Sequence, residues 1–85
     1  MNKQKKKTKK ELLKIFEKHL KLKKNESNRL LKGQINIKLN QYHNWDSLNH
    51  ASILVEIENK FKISINSKNI QKFNSFISIV KLLKL

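Results

Sequence analysis

The sequence predicts an all-α protein: a small bundle of four helices, with a long loop between helices 1 and 2 and a short third helix. Three observations lead there. Apolar residues recur at three- and four-residue spacing in two segments, through Leu12, Phe16 and Leu20 and through Leu54, Ile57 and Phe61, the period of a helix face. Hydroxyl or carboxylate residues stand just ahead of the helical segments, at Thr8, Asp46, Ser67 and Ser75, where a side-chain oxygen can accept from an orphan backbone N–H. A short alternation, Ile35, Ile37 and Leu39, has the period of a strand, but with no second clear strand it has nothing to pair with.

Taken in order, residues 1 to 7 read as a disordered basic lead and residues 8 to 85 as one domain. The first helix is expected from Thr8 to Lys23, with Thr8 as N-cap, Glu11 as its capping-box partner, and Leu12, Phe16, His19 and Leu20 on the inner face. Residues 24 to 44 contain the only glycine and several asparagines. They read as a long ordered loop pinned by Ile35, Ile37 and Leu39. The second helix runs from Ser47 to about Lys60, capped by Asp46, with Trp45 and His50 as a staple. Its inner face is expected to carry His50, Ala51, Leu54, Ile57 and Phe61, and its outer face Asn49, Ser52, Glu56 and Asn59. Ser67 is expected to cap one helical turn carrying Ile70. Ser75 caps a last helix that buries Phe76, Ile79, Val80 and Leu83.

With 85 residues, the chain has room for one modest core. It lacks cysteine, which removes disulfides, thiolate zinc sites and a cysteine nucleophile, and the expected home is cytoplasmic. The longest purely apolar run, Ile53 to Val55, is far short of a membrane span. The net charge of +14 is concentrated at the front: residues 1 to 24 hold 11 lysines against Glu11 and Glu17. Lysine, asparagine and isoleucine are all abundant, as AT-rich codon usage alone produces, so the charge by itself does not specify an anionic partner.

The segment "WDSLNH", Trp45 to His50, is followed by "ILVEIENKFKISI" and "IQKFNSFISIVKLL". In that order the three resemble the acyl carrier protein family, the phosphopantetheine-binding carriers, across about Lys10 to Leu83. The resemblance implies that Ser47 receives a 4'-phosphopantetheine arm from coenzyme A through a phosphopantetheinyl transferase. It also implies that the arm's thiol carries an acyl or aminoacyl thioester, supplied by a loading ligase and passed to a downstream transferase. Asp46 would help arrange the transferase's magnesium and coenzyme A, Leu48 would contact partner enzymes, and Leu48, Asn49, Ser52, Val55 and Glu58 would form the docking face. The protein is then a monomeric carrier and not an enzyme, with no specific nucleic acid partner and no membrane insertion. The first turn of a helix suits the attached phosphate, because its N–H groups are unpaired and the dipole is positive there.

The sequence departs from the family's pattern where acidic docking residues are usual. Asn49, Ser52 and Asn59 stand there, leaving Glu56 and Glu58 as the helix's carboxylates. Docking then falls either to Leu48, Ile53 and Val55 or to Glu58 and Asp46. Ile70 and Ile79 are bulkier than the family's usual residues around the pocket between its second and third helices. His19, His43 and His50 have no cysteine or close carboxylate pair with which to build a metal or nucleophilic site. Two rival readings use the basic front. One is a nucleic-acid binder with lysines on phosphates and Tyr42 or Trp45 stacked on bases; the other is a surface anchor with Leu12, Phe16 and Leu20 in lipid.

Overall fold

In the computed structural model, residues 8 to 85 are described; the basic lead expected over residues 1 to 7 lies outside them. The described chain is all-helical, with α1 (Lys9–Leu20), α2 (Lys24–Leu31), α3 (Ser47–Phe61) and α4 (Phe76–Leu83), and a 3-10 turn at Ile70–Lys72. The expected all-α class holds, and the number of α-helices is four, but they are distributed differently from the expectation.

The first helix is shorter than its predicted span. Thr8 Oγ1 accepts from the Glu11 N–H at 3.4 Å, and Lys21 ends the helix in the left-handed region at φ 54°. The long loop is corrected by α2, which occupies its first third. The segment "KNESNRLL" is poor in strong helix formers and rich in Asn and Ser, which favour turns and caps. It is held by tertiary contacts instead. Glu26 Oε1 accepts from the Lys23 N–H at 3.0 Å and from the Tyr42 hydroxyl at 2.8 Å, and Leu30 is buried. The expected short third helix is a single 3-10 turn. Asn66, not Ser67, organises its approach, through Oδ1 accepting from the Lys68 and Asn69 N–H groups.

The core forms where α1 and α3 pack antiparallel. The pairing Lys60–Glu11 lies at one end of the seam and Lys18–Glu56 nearer the other. Leu12, Phe16 and Leu20 are fully buried with Ile53, Ile57, Phe76, Ile79 and Trp45. Phe16 stands at the centre, edge-on to Trp45 at 5.0 Å and to Phe76 at 5.2 Å between ring centroids, the T-shaped geometry that aromatic quadrupoles favour. These contacts leave α1 no apolar stripe for a lipid surface.

The rest of the connection after α2 is pinned much as expected, with Ile37 buried and Ile35 and Leu39 half-buried. Instead of pairing into a sheet it meets the start of α4. The Leu39 N–H donates to the Asn74 carbonyl, the Phe76 N–H to the Ile37 carbonyl, and the Ile77 N–H to Asn36 Oδ1. Ser75 caps α4 as predicted, accepting from the Ser78 N–H at 3.1 Å. Phe76 and Ile79 are buried and Val80 and Leu83 pack partly against the core.

One face assignment in α3 is corrected. Ala51 is exposed and Ile53 is fully buried, while Leu54 and Ile57 are buried as predicted and Phe61 is half-buried. The reason is the position of α1. It runs along the edge of α3 marked by Glu56 and Lys60, and Ile53 lies on that side of the helix, one turn before Ile57. Ile53 is therefore withdrawn as a docking residue.

Candidate functional site

The approach to α3 is a compact turn. The Tyr42 N–H donates to the Lys38 carbonyl, the Trp45 N–H to the Tyr42 carbonyl at 2.9 Å, and the Asn40 N–H to the Trp45 carbonyl at 2.7 Å. Asn40 takes a left-handed conformation to close it, at φ 66°. Asn44 then ties the turn to the end of α1, its Nδ2 donating to the Leu20 carbonyl at 2.8 Å. Asn49 Nδ2 reaches back to the Asn44 carbonyl, also at 2.8 Å. Nothing in the sequence pattern marked Asn44, because an Asn in an Asn-rich chain reads as loop polarity.

Trp45 anchors the motif from below. It is 0% exposed, and its Nε1–H donates to His50 Nδ1 at 2.9 Å. Indole is a donor only, so His50 accepts at Nδ1 and carries its proton, when neutral, on Nε2. Burial depresses the His50 pKa below the ordinary histidine value, which agrees with the neutral ring. The predicted staple between these residues is thus also a hydrogen bond. A fully buried Trp45 has no face to offer a nucleobase, and the stacking role considered for it is withdrawn. Tyr42, the other stacking candidate, is half-buried, its hydroxyl on Glu26 and its pKa pushed up to about 12 by burial and by that carboxylate.

Above this anchor, Asp46 caps the helix, its Oδ1 accepting from the Asn49 N–H at 3.0 Å. Ser47 is the first residue of α3 and is exposed. Its hydroxyl makes no hydrogen bond among the described residues, and the Ser47 and Leu48 amides find no acceptor there. A free hydroxyl thus stands beside two free N–H donors at the positive end of a 15-residue helix.

Other predicted site residues divide into two groups. Leu48, 79% exposed, and Val55, 54% exposed, lie two turns apart on the outer side of α3 with Ser52 between them. Ser52 Oγ reaches the Leu48 carbonyl at 3.5 Å. Asn49 and Glu58 instead serve the fold. Asn49 locks the turn as described, and Glu58 Oε2 accepts from the Ile65 N–H at 2.7 Å, holding the chain that leaves the helix. Glu56 is engaged as well, by Lys18 at 3.0 Å and by His19 Nε2 at 2.5 Å. The Lys18 bond first, and the His19 bond second, hold its carboxyl below the usual carboxylate range.

Ile79 is fully buried and Ile70 is 39% exposed, so only the second presents its bulk to solvent. A groove of about 570 Å3, lined by Phe61, Ile63, Leu83 and Leu85 among others, lies at the C-terminal end of α3. Along the helix that is about 21 Å from Ser47. Among the described residues, no three His, Asp or Glu side chains gather into a metal-binding group, and no helix is long and apolar enough to cross a membrane. No family model matches this chain, and neither a curated protein nor a solved structure matches it.

Proposed function

We propose that the protein is an acyl carrier protein-like carrier whose Ser47 bears a 4'-phosphopantetheine arm. The observation that carries this reading is the exposed, unbonded Ser47 hydroxyl at the first position of α3, between the capping Asp46 and the exposed Leu48. The setting fits the group. In the transfer, the Ser47 oxygen bonds to the phosphorus that carries the pantetheine. The bond from that phosphorus to the rest of coenzyme A breaks, releasing adenosine 3',5'-bisphosphate, and the hydroxyl proton passes to a base of the transferase. The resulting phosphodiester sits where the Ser47 and Leu48 N–H groups and the helix dipole favour negative charge. When attached, the arm supplies the thiol that a cysteine-free chain lacks, and an acyl or aminoacyl group is held there as a thioester.

Partners on this reading are a phosphopantetheinyl transferase, a loading ligase and a downstream transferase. Trp45 and Asn44 act beneath the site as positioning residues, fixing the angle at which α3 starts. The alternative, a small basic nucleic-acid-binding protein, is disfavoured by the burial of Trp45. Intact mass after incubation with coenzyme A and a broad-specificity transferase tests the proposal. A gain of one phosphopantetheinyl group is expected in the native chain and none in Ser47→Ala, with helical circular dichroism unchanged. A gain that persists in Ser47→Ala, or none in the native chain with several transferases, would overturn it.

A further inference from the structure

A cleft of about 230 Å3 lies between α1 and α2, and no residue of α3 lines it. The two helices run antiparallel there. Only residues 21 to 23 separate them in the chain, and Lys9 at the start of α1 donates its ammonium to the Leu31 carbonyl at the end of α2, at 2.9 Å. Lys10, Lys14 and Glu17 line the cleft from α1, and Lys24, Ser27 and Asn28 line it from α2. Their three- and four-residue spacing puts each set on one face of its helix.

The rim of the cleft is cationic. Lys10, Lys14 and Lys24 are exposed, and none of the three forms an ion pair among the described residues. Three lysines against the single carboxylate of Glu17 leave the cleft with a charge of +2.

The floor carries the second observation. Leu13 is 6% exposed and Ser27 is 4% exposed. The Ser27 N–H donates to the Lys23 carbonyl at 2.9 Å, as the helix requires, but its buried Oγ has no hydrogen-bond partner. A helical serine often returns its hydroxyl to the carbonyl one turn back; this one does not. A buried polar group left without a partner is uncommon and destabilising. Lysine abundance alone would scatter cations over the surface, and what singles out this cleft is that three of them surround that hydroxyl.

We infer that the cleft binds a phosphate dianion, free or as the phosphate of a small monoester, between the ammonium groups of Lys10, Lys14 and Lys24 and the Ser27 hydroxyl. Charge and size select this ligand. A dianion neutralises the cleft, whereas a carboxylate leaves one cation uncompensated. The volume is below the ~300 to 1,000 Å3 of pockets that enclose drug-sized ligands, so the phosphate is held and anything esterified to it stays outside. Lysine stems are flexible and draw inward around the charge, which lets a phosphate oxygen reach the floor and accept from Ser27. The inference does not rest on the carrier reading, because no residue near Ser47 takes part.

The test titrates the full, isotope-labelled chain with inorganic phosphate and separately with glycerol phosphate, following backbone amide resonances. Ionic strength is held constant with chloride, and the pH is about 8, where both ligands are mostly dianionic. Saturable shifts confined to α1 and α2 are expected, and the tighter of the two ligands identifies the source of the phosphate. Lys14→Gln and Lys24→Gln are each expected to weaken binding roughly tenfold, and Ser27→Ala about fivefold. Lys68→Gln removes the same charge far from the cleft and should change affinity by less than about twofold. Glu17→Gln should tighten binding about threefold, a gain that a folding fault would not produce. Circular dichroism checks that every variant folds. The inference is overturned by shifts that do not saturate with either ligand, by acetate binding as tightly as phosphate, by equal losses in Lys68→Gln and Lys14→Gln, or by unchanged affinity in Ser27→Ala.

Discussion

The Trp45 indole donates to His50 Nδ1 at 2.9 Å from a site with no solvent exposure, which joins the residue before the Asp-Ser-Leu motif to the first turn and a half of α3. The bond requires an unprotonated Nδ1, and burial already holds the His50 pKa below its usual 6.5. The unfolded chain therefore binds a proton at His50 that the folded chain resists. Stability from this group is fully present above the unfolded pKa and is lost as pH falls below it toward the depressed folded value. A His50→Gln variant keeps an acceptor for the indole but does not titrate. Melting temperatures of the two chains, measured from pH 8 down to pH 5, are expected to show a steeper decline for the native protein below about pH 6.5. Parallel curves would show that this bond does not couple folding to pH.

Removing the acceptor altogether has a different signature. His50→Leu leaves the buried indole N–H without a partner, which costs about 1 to 3 kcal/mol. This loss should persist at pH 8, where the titration effect has vanished. Denaturant unfolding at that pH separates the two contributions. If His50→Leu and His50→Gln are equally stable, the hydrogen bond contributes little and the ring acts by packing alone.

The two sides of α3 should respond oppositely to truncation. Ile53 and Ile57 are fully buried, and changing either to Ala is expected to destabilise by about 2 to 5 kcal/mol through lost burial and a residual cavity. Leu48→Ala and Val55→Ala remove exposed apolar groups and should stay within about 0.5 kcal/mol of the native stability. The second pair is expected to lower the rate of phosphopantetheine transfer despite leaving the melt unchanged. Melting and transfer rate, measured on the same four variants, discriminate a core role from a contact role.

How far the sequence could be read depended on where the determinants were local. The start of α3 was legible because Asp46, Ser47 and the spacing of Leu54 and Ile57 lie within a few turns of one another. The same is true of Thr8 before α1 and Ser75 before α4. Helix α2 was not legible, since its sequence favours turns, and what secures it is the clamp from Tyr42 to Glu26 across 16 residues. Ile53 was misplaced for a related reason. Which edge of α3 is covered depends on α1, whose position is marked by Lys18–Glu56 and Lys60–Glu11. At the candidate site, the exposure of Ser52 and Asn59 was legible from the helical period, whereas Leu48 and Val55 were named only through the family resemblance, together with the buried Ile53. The internal duties of Asn49 and Glu58 were not legible, because their acceptor and donor are backbone groups in adjoining turns, the Asn44 carbonyl and the Ile65 N–H, that composition cannot reveal.

Tyr42 gives a direct readout of the clamp on α2, because it is the only tyrosine in the chain. Burial first, and the Glu26 carboxylate second, push its pKa from 10.0 to about 12. The neutral phenol is the form that donates to Glu26, so the folded chain holds this proton longer than the unfolded chain does. The contribution to stability is fully present below the unfolded value and is lost as pH rises toward about 12. Tyrosinate absorbance should be nearly absent at pH 10.5 in the native protein and clearly larger in Glu26→Gln, which removes the charge. Equal absorbance in the two chains would show that the carboxylate has no hold on the phenol.

Three helices end on a lysine in the left-handed region: Lys21 at φ 54°, Lys62 at φ 57° and Lys84 at φ 58°. The position normally favours glycine, which this chain uses only once, at Gly33, itself at φ 74°. A residue with a Cβ is disfavoured there by roughly 1 to 2 kcal/mol. Part of that is offset, because a lysine near the last carbonyls of a helix interacts favourably with the dipole by about 0.3 to 1 kcal/mol, and glycine loses more chain entropy on folding. The balance for Lys62→Gly is expected to be a gain of about 0.5 kcal/mol. Lys62→Ala should be destabilising, since it keeps the Cβ and removes the charge. Denaturant midpoints of the native, Gly and Ala chains at low and high salt separate the two effects. Salt should narrow the gap between native and Ala, which is electrostatic, and leave the advantage of Gly over Ala unchanged, which is conformational. If the Gly chain proves no more stable than the Ala chain at any salt concentration, the backbone at residue 62 does not carry the strain that its φ implies.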